Sequence, residues 1–416
     1  MMRSVRFPQL IAYLQVFTFW LLIASLIFYI CPFQRVIMLV AGVFFLLDYA
    51  VNKRWADWKW GINKGLWVIM IIYYLFIPLW HLMDDTLTPR FSFVLQERAP
   101  FILCGVIGLM GLSREVRLKP IVYVMLGSCV LVSWYTILRG VGFSYFLLPL
   151  TEQSVAFTEA RKAFVAPHMH FNLYLNLTLV FAFWLLMQKK LQRWEKVVVV
   201  VASLWVFYLL CISEGRVGLG TSLMLVALFV AIFAFRFGWK VLTPVLALYV
   251  CFAGLVMMNH HRLTAEHLEH EPRWLIWKAD WRVISESPIL GNGVCDAKEM
   301  LIHEAKTDEE LSVFYVNRIE NEKKGNYQMV QPHNAFLEAW MEFGVLGLAM
   351  LVVIFLYPLQ MLPRRNRPYC LLVIACFGLQ SCFDSFFSPL LYGICILLLT
   401  SRSAMAEETS VQRLEQ

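Results

Sequence analysis

A histidine followed by a stripe of polar residues stands where a long polar segment ends and an apolar run begins. The histidine is His333. Asn334, Glu338 and Glu342 follow at intervals of four, so they stack along one face of a helix. Pro332 suits the start of that helix, because its missing N–H costs least in the first turn. His333 then lies near unpaired N–H groups, which favour the neutral imidazole that a general base needs.

Several arginines have the chemistry to bind phosphate. Arg216 lies in the short polar segment 213–218 between two apolar runs, and Arg273 opens a later helix. A guanidinium presents a planar fork of donors that matches phosphate oxygens in pairs. Arg216 can equally be an arginine that only marks a helix end and extends its charge to the membrane surface. Arg98 and Arg139, at the ends of other apolar runs, are further candidates for substrate binding.

The elements that must position these residues are membrane helices. Hydrophobic residues make up 60% of the 416 residues and charged residues 16%, with a mean hydropathy of +0.63. This composition, in runs of membrane-spanning length, excludes a soluble domain and predicts an all-α polytopic membrane protein with about twelve transmembrane helices. The predicted runs are residues 10–31, 33–51, 65–83, 99–112, 121–141, 169–188, 197–213, 217–235, 241–258, 335–360, 369–387 and 388–402.

Lysine and arginine alternate between rich and poor loops along the chain, which sets the orientation. We expect both termini in the cytoplasm and one large loop on the opposite side of the membrane. The chain then divides into helices 1–9 (residues 1–258), the large loop (259–334), and helices 10–12 with a cytoplasmic tail (335–416). The middles of the helices carry almost no ionisable residues, which argues against an ion-coupled transporter. All nine histidines fall at or beyond the outer helix ends, so we expect the chemistry there.

An amphipathic helix is predicted within the large loop from Arg273. One face carries aromatic and aliphatic side chains at helical spacing, namely Trp274, Trp277, Trp281 and Ile284. Such a face lies naturally in the plane of the membrane–water interface. Trp277 is a candidate substrate-binding residue. Within the next helix, Gly344 and Gly347 predict close approach of a neighbouring helix.

The spacing His-Asn-x-x-Leu-Glu-x-x-x-Glu-x-Gly-x-x-Gly-Leu over residues 333–348 resembles the signature of the O-antigen ligase and O-antigen polymerase superfamily. The large loop is similar to it as well, with Arg-x-x-x-Trp from Arg273 and Ser-Pro-x-x-Gly-x-Gly over residues 287–293. The family has an arginine at the junction where Arg216 lies, usually preceded by serine or threonine, where this chain has glycine. The resemblance extends to Asp384 in the eleventh predicted helix.

The resemblance implies a GT-C-like O-antigen ligase of the bacterial inner membrane, acting in lipopolysaccharide biosynthesis with its active site on the periplasmic side. The implied donor is a polysaccharide on undecaprenyl diphosphate or a related polyprenyl diphosphate, and the implied acceptor is a sugar hydroxyl of lipid A–core. Arg216 and Arg273 would stabilise charge on the leaving diphosphate, and His333 would act as general base. The expected reaction is a direct displacement that inverts the anomeric carbon. Asn334, Glu338 and Asp384 are then candidate substrate-binding residues.

We expect no metal or other cofactor and no nucleic-acid partner. The chain has no Asp-x-Asp motif and no nucleotide-binding glycine loop. The alternative metal ligands are Asp84 with Asp85, which suit a divalent ion on a pyrophosphate, and His267 with His270, which share a helix face.

Three other functions remain open from the sequence. An O-antigen polymerase uses the same donor but a second lipid-linked glycan as acceptor. A protein O-oligosaccharyltransferase would share the fold, although such chains usually carry extra C-terminal soluble sequence. A lipid-linked sugar flippase needs a polar cavity along the helices, which their apolar middles disfavour.

Overall fold

The computed structural model of the chain is helical throughout the residues that it describes. Those residues are 7–28, 31–57, 61–82, 90–113, 115–162, 167–188, 190–213, 215–235, 238–259, 273–312, 331–385 and 387–401. The alternative metal ligands Asp84, Asp85, His267 and His270 lie outside them.

The helices confirm the predicted all-α class, and short 3-10 turns lie at Arg54–Asp57 and Phe143–Leu147. In chain order the helices are α1 (Phe7–Ser25), α2 (Cys31–Val51), α3 (Ile62–His81), α4 (Arg90–Met110), α5 (Leu118–Gly140), α6 (Leu150–Arg161), α7 (His168–Leu186), α8 (Arg193–Ile212), α9 (Arg216–Phe235), α10 (Trp239–Asn259), α11 (Arg273–Glu286), α12 (Asp296–Thr307), α13 (Ala335–Leu356), α14 (Pro358–Met361), α15 (Arg367–Phe383) and α16 (Pro389–Thr400).

Each predicted apolar run falls on one of these helices, and 6 of them are long and apolar enough to cross a membrane. The expected twelve crossings and the side on which the large loop lies stay predictions. The helix that contains Arg98 begins at Arg90, earlier than the predicted run at residue 99. Arg98 is therefore inside α4 and not at its outer start, because a helix can continue through polar residues that a hydropathy window excludes.

The centre of the bundle is α7, which is apolar on every side and buried along nearly its whole length. A helix with this pattern belongs in a core, because no face suits water. It packs against α5, α8, α9 and α15. Its first turns carry the polar residues His168, Asn172 and Asn176, so the bundle core turns polar at that end.

The large loop contributes a small packed unit of α11 and α12. Ile276, Val283 and Ile284 of α11 pack against Leu301 of α12 and Met341 of α13. Ile284, which the sequence placed on the face that carries the tryptophans, is buried in this unit. Trp274 and Trp281 remain 63% and 55% exposed, which leaves them free to contact lipid headgroups.

A break in α13 joins this unit to the bundle. Gly344 has a φ of +67°, which interrupts the helix and frees the carbonyls of Met341 and Glu342. Backbone N–H groups of Asn292 and Gly293 donate to those carbonyls at 2.9 and 3.2 Å. The segment 287–293 therefore binds the backbone of a broken apolar helix. The close approach predicted at Gly344 is made by this loop and not by a neighbouring helix, because only an irregular segment offers donors to the freed carbonyls.

Gly347 likewise makes room within its own helix, and not for the neighbouring helix that the sequence predicted. A Cβ there would lie 2.3 Å from the Phe343 Cβ and 2.7 Å from the Ala339 carbonyl oxygen, both in α13 itself. The kink folds the helix against its own preceding turn, and Gly347 provides the room.

Candidate functional site

Arg216 and Arg273 line the same cavity, of about 180 Å³, at the polar end of the bundle core. We call it the arginine cavity. Both arginines are half-buried. The other polar groups of its wall come from α7 and α15 and include His168, Asn172, Asn176 and Gln380.

The turn before α9 positions Arg216 at the first residue of that helix. Gly215 has a φ of +112°, a conformation that favours glycine, and a Cβ there would lie 2.9 Å from Asn172 Nδ2. The glycine in place of the family's serine or threonine therefore fits this fold. Ser213 Oγ donates to Asn172 Oδ1 at 2.7 Å, and Asn176 Nδ2 donates to the Gly218 carbonyl at 3.0 Å. The two asparagines hold the backbone that presents Arg216.

Arg273 reaches the cavity as the first residue of α11. Its side chain lines the cavity together with Phe383 of α15. Trp277, one turn later, contacts the Phe383 ring with centroids 5.9 Å apart. Trp277 thus lies one side chain behind the cavity wall.

His333 lies just before the N-terminus of α13. The helix begins at Ala335 and not at Pro332, and Asn334 is its N-cap: Asn334 Oδ1 accepts from the Phe336 and Leu337 N–H groups at 3.0 and 3.1 Å. An asparagine cap satisfies two N–H groups that a proline start leaves unpaired. His333 has a φ of +52°, a conformation that residues other than glycine seldom adopt and that is often found at functional sites.

Asp384 is the neighbour of this junction. It follows the last residue of α15 as its C-cap, and its carbonyl accepts from the Ala335 N–H at 3.1 Å. Gln380 and Phe383, directly before it, line the arginine cavity. The backbone thus joins the His333 segment to one wall of the arginine cavity.

Four charged residues form a second group, which we call the charged cluster. Arg98 pairs with Glu338 at 3.3 Å and with Glu342 at 2.5 Å. Lys298 of α12 pairs with the same carboxylates at 3.3 and 3.8 Å. Glu342 is 0% exposed, and the two positive charges balance the two negative ones. Buried charges are tolerated when paired in this way.

The charged cluster gives two predicted substrate-binding residues a structural contact with each other. Arg98 and Glu338, proposed separately as substrate contacts, bind each other and fasten α4, α12 and α13 together. Burial lowers the pKa of Lys298, but Glu338 and Glu342 raise it by more, so its net direction is upward and the amine stays charged.

Asp280 of α11 lies beside the charged cluster. Its side chain is 0% exposed, and neither oxygen has a hydrogen-bond partner in the part of the chain that the structure describes. Burial raises the pKa of this carboxyl well above its usual range, and the Glu338 charge adds to the rise. The site therefore favours the neutral acid at Asp280.

Sequence reasoning missed Asn172, Asn176, Gln380 and Lys298. A signal existed for α7, since His168, Asn172 and Asn176 recur at intervals of four in an otherwise apolar helix. Arg139 is exposed in the last turn of α5 and is not among the residues that line the arginine cavity.

Part of the chain matches the model of a known protein family. Residues 201–352 match the family model described as O-antigen ligase. The chain carries an O-antigen ligase family domain. No curated protein matches the chain.

The O-antigen ligase domain contains Arg216, Arg273 and His333. It runs from α8 to the kinked α13 and includes the unit formed by α11 and α12. Members of this family are glycosyltransferase-like enzymes. The family and the apolar helices together point to a multi-pass membrane protein. Asp384 and Arg98 lie outside the matched residues and reach the domain through the contacts described above.

Proposed function

We propose that the protein is an O-antigen ligase that transfers polysaccharide from a polyprenyl-diphosphate donor to a sugar hydroxyl of lipid A–core. One observation carries the proposal: Arg216 and Arg273 line a single polar cavity within the O-antigen ligase family domain. Paired guanidiniums suit a diphosphate, since each offers two parallel donors to phosphate oxygens. The N-terminus of α9, where Arg216 lies, adds N–H groups and a positive dipole end.

The proposed reaction is a direct displacement at the anomeric carbon. Arg216 and Arg273 stabilise the charge that develops on the departing lipid diphosphate, a role that metal ions fill in other glycosyltransferases. The reaction then needs no metal, and the anomeric configuration inverts. Asn172, Asn176 and Gln380 supply neutral donors and acceptors to the same cavity.

His333 is the proposed general base. It precedes the N-cap of α13 by one residue, and the neighbouring Ala335 N–H is bound to Asp384 beside the arginine cavity. A neutral imidazole there can take the proton of an acceptor hydroxyl as it attacks. Asp384 anchors this segment through its backbone carbonyl.

The proposed location is a bacterial inner membrane, with twelve crossings and the active site on the periplasmic side. The distribution of lysine and arginine supports it, since the basic loops alternate with poor ones. A single cysteine at Lys306 in a cysteine-free variant should react with an impermeant maleimide added outside the inner membrane. One at Arg193 should react only after the membrane is opened, and the reverse pattern would overturn the orientation.

Gel analysis of surface polysaccharide from a strain that lacks the gene tests the proposed acceptor. A ligase predicts lipid A–core without polymer and an accumulation of lipid-linked polymer. Core that bears a single repeat would contradict the ligase and indicate a polymerase. A normal ladder of polysaccharide lengths on lipid A–core would contradict both the ligase and the polymerase.

A further inference from the structure

A second cavity, of about 90 Å³, opens beside the charged cluster. We call it the second cavity. Its walls come from α3, α4, α13 and the segment between α15 and α16. The residues that matter for the argument are Glu97, Phe101, Ser385, Phe387 and Ser388.

The two cavities lie on either side of one short segment of chain. Gln380 and Phe383 line the arginine cavity, whereas Ser385 and Ser388 line the second cavity. Ala335 also lines the second cavity, and its N–H donates to the Asp384 carbonyl at 3.1 Å. His333 precedes Ala335 by two residues, so it lies next to this segment along the chain, although it is not among the residues that line either cavity.

The charge of the second cavity disfavours a phosphate. Arg98 lines it, but its guanidinium is already bound to Glu338 and Glu342. Glu97 and Glu338 add negative charge to the wall. An anion would meet two carboxylates and only one arginine that is already paired.

The same wall suits a neutral polyhydroxyl. Carboxylates accept hydrogen bonds from hydroxyl groups, and the buried Ser385 Oγ has no hydrogen-bond partner in the residues that the structure describes. The cavity is also lined by aromatic side chains: the Phe101 ring lies 5.6 Å from the Phe387 ring and 4.8 Å from the Tyr73 ring, centroid to centroid. An aromatic lining with a few polar groups is a common arrangement for binding a small ligand in a fixed orientation.

We propose that the second cavity binds the acceptor as a carbohydrate, with one sugar ring against Phe101 and Phe387 and within reach of Glu97 and Ser385. The inference rests on the proposed function, because it takes the arginine cavity as the donor site and His333 as the base. The acceptor hydroxyl oxygen forms the new bond to the anomeric carbon, and its proton passes to His333. The bond from that carbon to the diphosphate oxygen breaks, and its electron pair leaves with the lipid diphosphate.

Ser385→Val and Glu97→Gln test the inference, with the exposed Glu159→Gln on α6 as control. Two probes are used with purified protein: undecaprenyl diphosphate for the donor side, and core oligosaccharide released from lipid A for the acceptor side. Each of the two variants should raise the dissociation constant of the oligosaccharide about tenfold or more. Neither should change binding of undecaprenyl diphosphate, and Glu159→Gln should change neither constant.

A lipid-linked glycan in place of the core oligosaccharide forms a second arm. Weakened binding of either carbohydrate supports the inference, and the arm that responds identifies the source of the acceptor hydroxyl. Unchanged carbohydrate binding in both variants, in a protein that still transfers sugar, would overturn the inference and leave the proposed function intact. Weakened binding of undecaprenyl diphosphate would also overturn it. A wild type that binds both probes but transfers to neither carbohydrate would overturn the proposed function and the inference together.

Discussion

Gly291 and Gly344 meet backbone to backbone where the loop after α11 crosses the kink of α13. A Cβ on Gly344 would lie 2.7 Å from the Gly291 nitrogen and 2.0 Å from the Ile289 carbonyl oxygen. Trp340 Nε1 donates to the Pro288 carbonyl at 2.9 Å and closes the same contact. The unit that holds Arg273 is therefore fixed to the helix that follows His333.

Alanine at Gly291 or Gly344 should destabilise the fold. Both have positive φ values, of +78° and +67°, which cost a side chain about 1–2 kcal/mol before the clash is added. We expect a loss of at least about 2 kcal/mol for each, seen as a lower thermal midpoint in detergent. Gly378→Ala in α15 is the control, since nothing lies within 4 Å of its Cβ and alanine favours a helix. Equal midpoints for Gly344→Ala and Gly378→Ala would contradict the contact.

The charged cluster should behave as one unit. Lys298→Met leaves Glu338 and Glu342 with only Arg98 as partner, and breaking a buried pair typically costs about 3–5 kcal/mol. Adding Glu338→Gln restores the charge balance, so the double variant should be more stable than Lys298→Met alone. Thermal unfolding measures both, with Lys306→Met on the exposed side of α12 as control. The single variant Glu338→Gln is measured as well. A double variant whose loss of stability equals the sum of the losses in the two single variants would show that the charges are independent.

Asp280 should make stability depend on pH. Its folded pKa is raised, so between its ordinary value of 3.8 and the folded value the native state holds a proton that the unfolded state has lost. Stability therefore falls as pH rises through that window, by at most about 1.4 kcal/mol per pH unit. Asp280→Asn keeps a neutral side chain at all pH values and should raise the thermal midpoint at pH 8 more than at pH 4.5.

The control for Asp280 is Glu286→Gln, an exposed carboxylate of the same helix. It should leave the pH dependence of the thermal midpoint unchanged. A wild type whose midpoint is flat from pH 4.5 to 8, or an Asp280→Asn variant that is destabilised at both ends, would contradict the assignment of a neutral acid.

Substitutions at Arg216 and Arg273 should distinguish the contribution of positive charge from that of the guanidinium geometry. Arg216→Lys and Arg273→Lys keep the positive charge but lose the fork, so each should retain only part of the activity. The alanine variants should lose nearly all transfer and bind undecaprenyl diphosphate more weakly. Arg282→Lys serves as control, because this exposed arginine of α11 pairs with Glu304 and Asp308 away from the cavity. Full transfer by Arg216→Ala would leave Arg216 with no role beyond marking a helix end.

Local spacing predicted most of the helices, because apolar runs are local properties of the chain. The sequence named Arg216 and Arg273 of the arginine cavity but missed Asn172, Asn176 and Gln380, which line it too. The stripe of Glu338 and Glu342 on one face is confirmed by their shared partners Arg98 and Lys298. What could not be predicted depends on distant contacts. Lys298 and Arg98 meet these carboxylates from two other helices.

The kink of α13 shows the same limit. Gly344 lies in a run of membrane length and reads as a helix-packing glycine. Its φ of +67° is set by the loop around Gly291, which donates to the freed carbonyls from outside the helix. The helical periodicity of the sequence near Gly344 does not predict the contact with that loop.

His333 gives the central prediction, since the proposed reaction requires a base that takes the proton of the acceptor hydroxyl. Removing a general base typically lowers the rate about 10²–10⁴-fold and leaves substrate binding largely intact. His333→Gln keeps hydrogen bonding but cannot take the proton. It should insert normally and bind undecaprenyl diphosphate as the wild type does. His303→Gln, an exposed histidine of α12, is the matched control and should retain full activity.

The most direct measurement is the release of undecaprenyl diphosphate by purified protein supplied with lipid-linked polysaccharide and lipid A–core, with and without a chelator. The wild type should release it only when the acceptor is present and should be indifferent to the chelator, whereas His333→Gln should release almost none. Release by His333→Gln at near the wild-type rate, or a wild type that releases none with the acceptor present, would contradict the account.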